Sequence, residues 1–355
     1  MDGPTFERPR GNQIEPAGSA SGQRRMLLSV VVPCLNEEEG LRQAHQRLVA
    51  VLAEAPVGFE IIYVDDGSSD STANILRELQ AANECVRVIR FSRNFGHQVA
   101  ITAGIEHALG DAVAIIDADL QDPPEVILQF LAKWKDGYDV VYGVRTERDG
   151  ETAFKLLSAK MFYRFFTRMS DTQMPLDTGD FRLMDRRVVD ALISMPERDR
   201  FVRGMVSWLG FSQVALPYRR ASRVAGKTKF SLFKMLRFAL DGIFSFSILP
   251  LRIATWIGFA ASGVSVLGIV VVLLERFFQV PGLVRGWSSA VIGELFIGGV
   301  QLVCLGIIGE YVGRIYGETK RRPLYVIRER MGFEAGAGNP VSAANRNALV
   351  AAGKR

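Results

Sequence analysis

From Leu27 to about Gly143, short and nearly unbroken runs of Val, Ile and Leu alternate with stretches whose apolar residues recur every three or four positions. The runs predict strands at Leu28–Pro33, Phe59–Asp65, Val86–Phe91, Ala112–Asp117 and Asp139–Val144. The periodic stretches predict helices at Glu38–Ala53, Ser71–Ala82, His97–Leu109 and Pro124–Trp134. Strands that are apolar on both faces and separated by helices pair in parallel and are covered on both sides, so the expected class is α/β with a mostly parallel sheet. In such sheets ligands bind beyond the carboxyl ends of the strands. Those ends read Pro33-Cys34-Leu35-Asn36-Glu37, Asp65-Asp66-Gly67, Ser92-Arg93-Asn94 and Asp117-Ala118-Asp119, which gathers polar and acidic residues at one edge.

Beyond Glu151 the pattern is less regular, with an amphipathic helix expected over Ala153–Met169 and a strand over Thr178–Met184. Residues 219–237 carry Arg219, Arg220, Arg223, Lys227, Lys229, Lys234 and Arg237 without one acid, interleaved with Phe230, Leu232, Phe233, Met235 and Leu236. This is the pattern of a helix lying in a membrane interface, cations toward headgroups and apolar side chains toward acyl chains. Two long apolar stretches follow, Ile253–Leu274 and Ala290–Gly309. At about 1.5 Å per residue each suffices to cross a hydrocarbon layer of about 30 Å. Their glycines suit close helix packing in lipid. Basic residues flank the outer ends of this pair, while the loop between has only Arg276 and Arg285, so the positive-inside rule puts both termini and the N-terminal domain in the cytosol. The division expected is a disordered tail over 1–26, a catalytic domain over 27–218 and a basic juxtamembrane segment over 219–248. Transmembrane helices over 249–276 and 287–313 and a cytosolic tail over 314–355 complete it.

The net charge of +5 and pI near 9.2 call for an anionic partner. Nucleic acid is not that partner, because the cations sit beside the membrane stretches among aromatics. Cys34, Cys85 and Cys304 lie far apart without zinc spacing, which excludes a disulfide framework and fits a reduced, cytosolic soluble part. No G-x-G-x-x-G follows the first strand and no phosphate loop is present; Gly226-Lys227-Thr228 has only the tail of that motif.

Asp117-Ala118-Asp119-Leu120-Gln121-Asp122 offers hard oxygen ligands at a strand end, suited to Mg²⁺ or Mn²⁺ and a departing diphosphate. Its other reading is a helix cap, with Asp122 ahead of Pro123-Pro124. Val64-Asp65-Asp66-Gly67-Ser68-Ser69-Asp70 reads as a strand, turn and helix cap, or as a carboxylate holding a base or ribose. His97 is either satisfied by its neighbours or a phosphate contact, His45 and His107 are expected on helix surfaces, and Arg203 and Trp208 are read as core and channel packing. Glu294 and Gln301 in the second apolar stretch are read equally as functional or as a contact between spans.

Together and in this order, VVPCLNEEE (31–39), YVDDGSSD (63–70), FSRNFGHQVAITAG (91–104), DADLQDPPE (117–125), YGVRTERDGE (142–151), TGDFRLMDR (178–186), GKTKFS (226–231) and GEYVGRIYGETKRRPLY (309–325) resemble the inverting nucleotide-sugar glycosyltransferases of GT-A fold. The resemblance narrows to the polyprenyl-phosphate glycosyltransferases, relatives of dolichol-phosphate mannose synthase and the bacterial GtrB-type enzymes. It implies Asp119, Gln121 and Asp117 as ligands of Mg²⁺ or Mn²⁺, and Pro33, Leu35, Glu37, Asp65, Asp117 and Ala118 around the nucleotide. It implies Asp180 as the acid near the reacting centre, with Asp177 the runner-up, and Arg145, Arg223 and Lys229 as cations for the acceptor phosphate; Thr228 stands where the family has Ser. It also implies a nucleotide-sugar donor, UDP-glucose first, a polyprenyl phosphate acceptor (undecaprenyl phosphate in a bacterium) and a homo-oligomer, a tetramer being the form suggested. A lipid phosphate has its second pKa near about 6, so it is already largely a dianion at neutral pH. Asp180 therefore reads as a positioning or electrostatic group at least as readily as a general base. A processive synthase would need a QxxRW box and more spans, and a silent scaffold would have no use for intact acidic motifs.

Overall fold

The computed structural model describes residues 26–146, 178–219, 249–278 and 287–333. The expected helix over Ala153–Met169, the basic segment after Arg219 with Arg223 and Lys229, and Asp177 lie outside those residues.

The chain runs β1 (Leu27–Cys34), α1 (Leu41–Ala53), β2 (Gly58–Asp65), α2 (Thr72–Ala82), β3 (Val86–Phe91), α3 (His97–His107), β4 (Ala112–Ile115), α4 (Val126–Lys135) and β5 (Val140–Arg145). It continues through β6 (Thr178–Asp185), α5 (Arg186–Ser194), α6 (Val202–Trp208), β7 (Gln213–Tyr218), α7 (Leu249–Phe277), α8 (Trp287–Thr319) and β8 (Ile327–Met331). Among the described residues these eight strands form one sheet ordered β7-β5-β6-β4-β1-β2-β3-β8. Its centre, β4-β1-β2-β3, is parallel. β6 runs antiparallel to β4 and β5, β7 is parallel to β5, and β8 closes the far edge antiparallel to β3.

The two-residue period of β1 explains the layering. Leu28, Val30 and Val32 enter one core with Leu41, Leu48 and Leu52 of α1, Leu76 of α2 and Phe130 of α4. Val31 enters the other, with Ile101 of α3, Val188 of α5 and Met205 of α6. α3 lies so close to the sheet that a Cβ on Gly104 would stand 2.2 Å from a Val31 methyl. That proximity fixes where its first residues, His97 and Gln98, emerge at the carboxyl edge.

Several expectations need correction. β4 stops at Ile115, so Asp117 stands in the following loop. His45 and His107 are buried rather than on the surface, because both lie on the helix faces packed against the sheet. His45 Nδ1 is 3.0 Å from the Tyr63 hydroxyl, and His107 Nδ1 is 2.8 Å from the Ala103 carbonyl. Trp208, read as core and acceptor-channel packing, is not in the core: it is 65% exposed at the end of α6. The segment from residue 314 is not simply a tail: α8 continues to Thr319 and β8 rejoins the sheet. Arg77 Nη2 pairs with Glu329 Oε2 at 2.7 Å, and Tyr325 stacks on Phe91 with centroids 5.0 Å apart while its hydroxyl donates to Glu106.

α7 and α8 meet where the Cys304 thiol approaches the Ala254 carbonyl at 3.5 Å, and they expose Trp256, Phe259, Leu267, Phe296 and Leu302. Among the described residues one stretch, Phe296–Thr319, is long and apolar enough to cross a membrane; the apolar part of α7, Ile253–Gly268, is shorter. Glu294 and Gln301 are exposed on α8.

Candidate active site

The loops after β1 and β2 are laced together by side chains that cap each other's backbone. Asn36, held at φ 54°, donates its N–H to Ser68 Oγ at 3.0 Å and accepts the Ser69 N–H on Oδ1 at 2.9 Å. The Glu37 N–H donates to Thr72 Oγ1 at 2.9 Å, and Glu38 Oε2 accepts the Ser71 N–H at 2.9 Å. Pro33 and Cys34 are buried within this construction, whereas Leu35 turns its side chain outward and is 39% exposed. An apolar side chain in the open at a strand end gives a flat ring a surface to lie on.

Asp65 is fully buried, accepting the Ser68 N–H on Oδ1 at 2.8 Å and placing Oδ2 3.1 Å from Arg90 Nε. It is thus committed inside the chain, bracing the floor of the edge. Asp66 reaches the other way and accepts the N–H groups of Phe95, at 2.6 Å, and Gly96, at 3.0 Å, which fixes the start of α3. Burial raises its carboxyl pKa, and the two backbone bonds oppose that rise. Gly67 between them has φ +72°, and a Cβ there would meet the Arg93 carbonyl carbon at 2.4 Å.

The loop after β4 turns on Leu120, a non-glycine residue at φ 58°, and on Asp119 Oδ1, which accepts the Gln121 N–H at 3.1 Å. Ala118 is buried, Asp117, Asp119 and Gln121 are partly exposed, and Asp122 is buried with Oδ1 accepting the Tyr218 hydroxyl at 2.5 Å. The same hydroxyl accepts Arg145 Nε at 3.3 Å. A Cβ on Gly179 would come 3.0 Å from Arg145 Nη2, so the missing side chain is what admits that guanidinium.

Since β6 is antiparallel to β4, its first residues stand beside the end of β4, and Asp180 arrives next to Asp117. His97 Nε2 lies 3.4 Å from Asp180 Oδ2 and 3.7 Å from Asp117 Oδ1. Gln98 Nε2 donates to Asp180 Oδ2 at 2.9 Å, and Arg203 Nε is 3.5 Å from Asp180 Oδ1. Burial pushes the Asp117 carboxyl up to about 6, with Asp122, Asp180 and Asp119 adding to the rise and His97 opposing it. Burial acts likewise on Asp180, but the His97 hydrogen bond and the charges of Arg203 and Arg182 hold it well below the usual carboxylate range. Burial would lower His97, yet its hydrogen bond to Asp180 and the charge of Asp117 carry it above its ordinary value. Burial brings Arg182 down to about 10 against the pull of Asp180.

Thus Asp117, Asp119, Gln121, Asp122, Asp180 and Arg145 meet at one edge, with Leu35 and Ala118 beside the loops that form it. Sequence reasoning missed Gln98, Arg182 and Tyr218 as members of this edge and gave Arg203 a packing role, while Asp122 was named in the acidic motif. Gln98 and Arg182 did lie inside recognised motifs; Arg203 and Tyr218 belong to elements without such a signal. No three His, Cys, Asp or Glu side chains among the described residues converge as a ready metal cage. What does speak for a cation is the donor chemistry: hard carboxylates gathered at one edge, the pKa of one of them, Asp117, raised to about 6 by burial and by its acidic neighbours. Mg²⁺-type ions commonly use one or two carboxylates and complete their shell with water and substrate phosphates, so the residues fit a cation shared with a diphosphate.

A sequence model described as Glycosyl transferase family 2 matches residues 29–193. The chain is 49% identical over 311 residues to the uncharacterized glycosyltransferase YkcC of Bacillus subtilis, covering 88% of this chain and 96% of that one. It is 41% identical over 304 residues to the bactoprenol glucosyl transferase of Shigella phage SfV, covering 85% and 98%. To the prophage bactoprenol glucosyl transferase homolog of Escherichia coli it is 40% identical over 304 residues, covering 85% and 99%.

Proposed function

The chain belongs to glycosyl transferase family 2, among its polyprenyl-phosphate glycosyltransferases, and from that premise we propose that it transfers one sugar from a nucleotide sugar to a polyprenyl phosphate. UDP-glucose is the first donor to test, and undecaprenyl phosphate the acceptor. The reading includes inversion at the sugar, two membrane-crossing helices (α7 and α8), a cytosolic catalytic domain and termini, and a homo-oligomer, tetrameric as first choice. The observation that carries it is that the end of the long apolar helix α8 packs on the loop beside the acidic edge. β6 starts at the carboxyl edge, α5 returns the chain there, and the loop 195–201 at that edge is held by the end of α8. Arg314 Nη1 pairs with Asp199 Oδ2 at 2.8 Å, and the Arg198 N–H donates to Glu318 Oε1 at 2.8 Å. A lipid phosphate arriving along the bilayer would meet these carboxylates and cations first.

In this reading Leu35 and the laced β1 and β2 loops receive the base, with Pro33, Glu37 and Ala118 around it and Asp65 bracing the floor through Arg90. Asp117, Asp119 and Gln121 would hold Mg²⁺ or Mn²⁺ together with the diphosphate. When bound, that cation supplies charge neutralisation for the leaving nucleotide diphosphate. Arg145 grips the acceptor phosphate, joined by Arg223 and Lys229; Arg is suited to this by its bidentate fork. An oxygen of the phosphate dianion bonds to the anomeric carbon from the face opposite the nucleotide. The bond from that carbon to the diphosphate breaks, and its electron pair leaves with the nucleotide. A dianion needs no proton removed, so Asp180 serves electrostatically, through the donors and cations it orders at this edge, with Asp177 as the alternative carboxylate.

The test is direct. Full-length protein in lipid, with Mg²⁺ or Mn²⁺, polyprenyl phosphate and a panel of nucleotide sugars, is expected to yield one glycosyl phospholipid, and EDTA to abolish it. Absence of product across the panel sinks the transfer reading; undiminished product in EDTA sinks the metal role.

A further inference from the structure

Asp180 is gripped by side chains to which the chemistry above gives no task. Gln98 has both ends of its amide committed: Nε2 donates to Asp180 Oδ2 at 2.9 Å, and Oε1 accepts the Val202 N–H at 3.0 Å. The next residue, Arg203, brings Nε to 3.5 Å from the other carboxylate oxygen, with its guanidinium 4.9 Å from the Phe201 ring centroid. One oxygen of Asp180 is therefore addressed from α3 and the other from α6, two elements on the same face of the sheet. The carboxylate side chain is only 9% exposed, so water contributes little to holding it. A buried carboxylate is stable as an anion only where donors and cations address it, and each bond also fixes its direction.

We propose that Gln98 and Arg203 are positioning residues of the transfer reaction, which hold the Asp180 carboxylate in place from two sides at the edge where the acceptor binds. The inference rests on the role given to Asp180 above. Neither residue touches a substrate in this account; each acts through the carboxylate it holds. Gln98 does so with a neutral donor whose far end is tied to the first turn of α6. Arg203 does so with charge, and its place at the top of α6 makes the 195–201 loop part of the same construction. A merely structural Gln98, pinning α3 to α6, would behave differently when Asp180 is removed.

The experiment uses the full-length chain in lipid with the active donor and polyprenyl phosphate, and compares Gln98→Ala, Arg203→Ala and Asp180→Asn singly and in pairs. Each of Gln98→Ala and Arg203→Ala is expected to lower kcat between about tenfold and about a hundredfold, as misplacement of a reacting group does. The donor KM and the affinity for free UDP should stay within about twofold, because binding to a separate loop is untouched. In the Asp180→Asn background either change should cost less than about threefold, since residues acting as a unit lose their effect together. Arg203→Lys, which keeps a cation beside Asp180, should recover part of the loss and gives the same cycle if Arg203→Ala does not fold. Equal losses in both backgrounds, or a loss carried wholly by donor KM, overturns the positioning role while leaving Asp180 in place. If Asp180→Asn alone turns over like the wild type, the role of Asp180 and this inference fall together.

Discussion

At the scale of single residues, the edge is built by a few side chains whose spacing in sequence hides their spacing in space. Asp117 and Asp119 were legible because they follow directly on an apolar strand in one short motif. The partnership of Gln98, Asp180 and Arg203 was not, since it joins three elements through one hydrogen bond and one ion pair that no local pattern encodes. Asp65, an acid at a strand end placed near the nucleotide by the sequence, also has a structural task that no local pattern announces: it accepts the Ser68 N–H and pairs with Arg90. Asp119→Ala is expected to remove transfer to near background while leaving the melting temperature close to wild type, because Asp119 lies partly exposed in a loop. Retention of more than about a tenth of the rate would contradict its role, since loss of a charge-stabilising group typically costs a hundredfold or more. Gly67→Ala tests the backbone instead. With φ +72° and the Arg93 carbonyl carbon 2.4 Å from the new methyl, it should destabilise the domain by about 1–3 kcal/mol or more. Thermal melting reads this, and an unchanged melting temperature would show that the β2 turn relaxes freely.

At the scale of elements, the parallel centre was readable because strands buried on both faces must be apolar throughout. The edges were not. β7 carries Pro217 in an alternating strand, and β8 reads Ile-Arg-Glu-Arg-Met, whose charges suit a half-exposed edge but give no strand signal. What recruits β8 is a set of distant contacts: Arg77 on Glu329, Tyr325 on Phe91 and Glu106, and His107 against Phe333 at 5.7 Å between centroids. His107 makes this docking sensitive to acid. Burial lowers its pKa, the Ala103 carbonyl opposes that, and Arg330 adds to the lowering. A histidine depressed in the folded state contributes stability that is full above its unfolded pKa of about 6.5 and is lost as pH falls through the folded value. Replacing it by Phe, which keeps a ring against Tyr325 and Phe333, should shrink the drop in melting temperature between about pH 7.5 and about pH 5. An identical drop in wild type and His107→Phe would remove the residue from the account.

At the scale of the whole molecule, the two long apolar stretches were legible by composition alone, but not that the chain leaving α8 is worked back into the catalytic domain. α8 ends in Arg314 and Glu318, which hold Asp199 and the Arg198 backbone, and Arg200 of the same loop caps α5 by donating to the Leu192 and Met195 carbonyls. Two residues further on is Val202, whose N–H is held by Gln98, and then Arg203 beside Asp180. The end of α8 and the candidate active site are thus a few residues apart along one loop. Exposed ion pairs contribute little to global stability, about 1 kcal/mol or less each, because water competes for both partners. Cutting them should therefore leave the fold intact while loosening the loop. Arg314→Ala combined with Glu318→Ala is expected to lower kcat about fivefold, a coupling on the order of 1 kcal/mol, with UDP affinity and melting temperature held. The measurement is turnover of the double variant in lipid beside its UDP titration. Wild-type turnover would mean that α8 has no part in the reaction, whereas a selective fall in kcat makes α8 part of what positions Asp180.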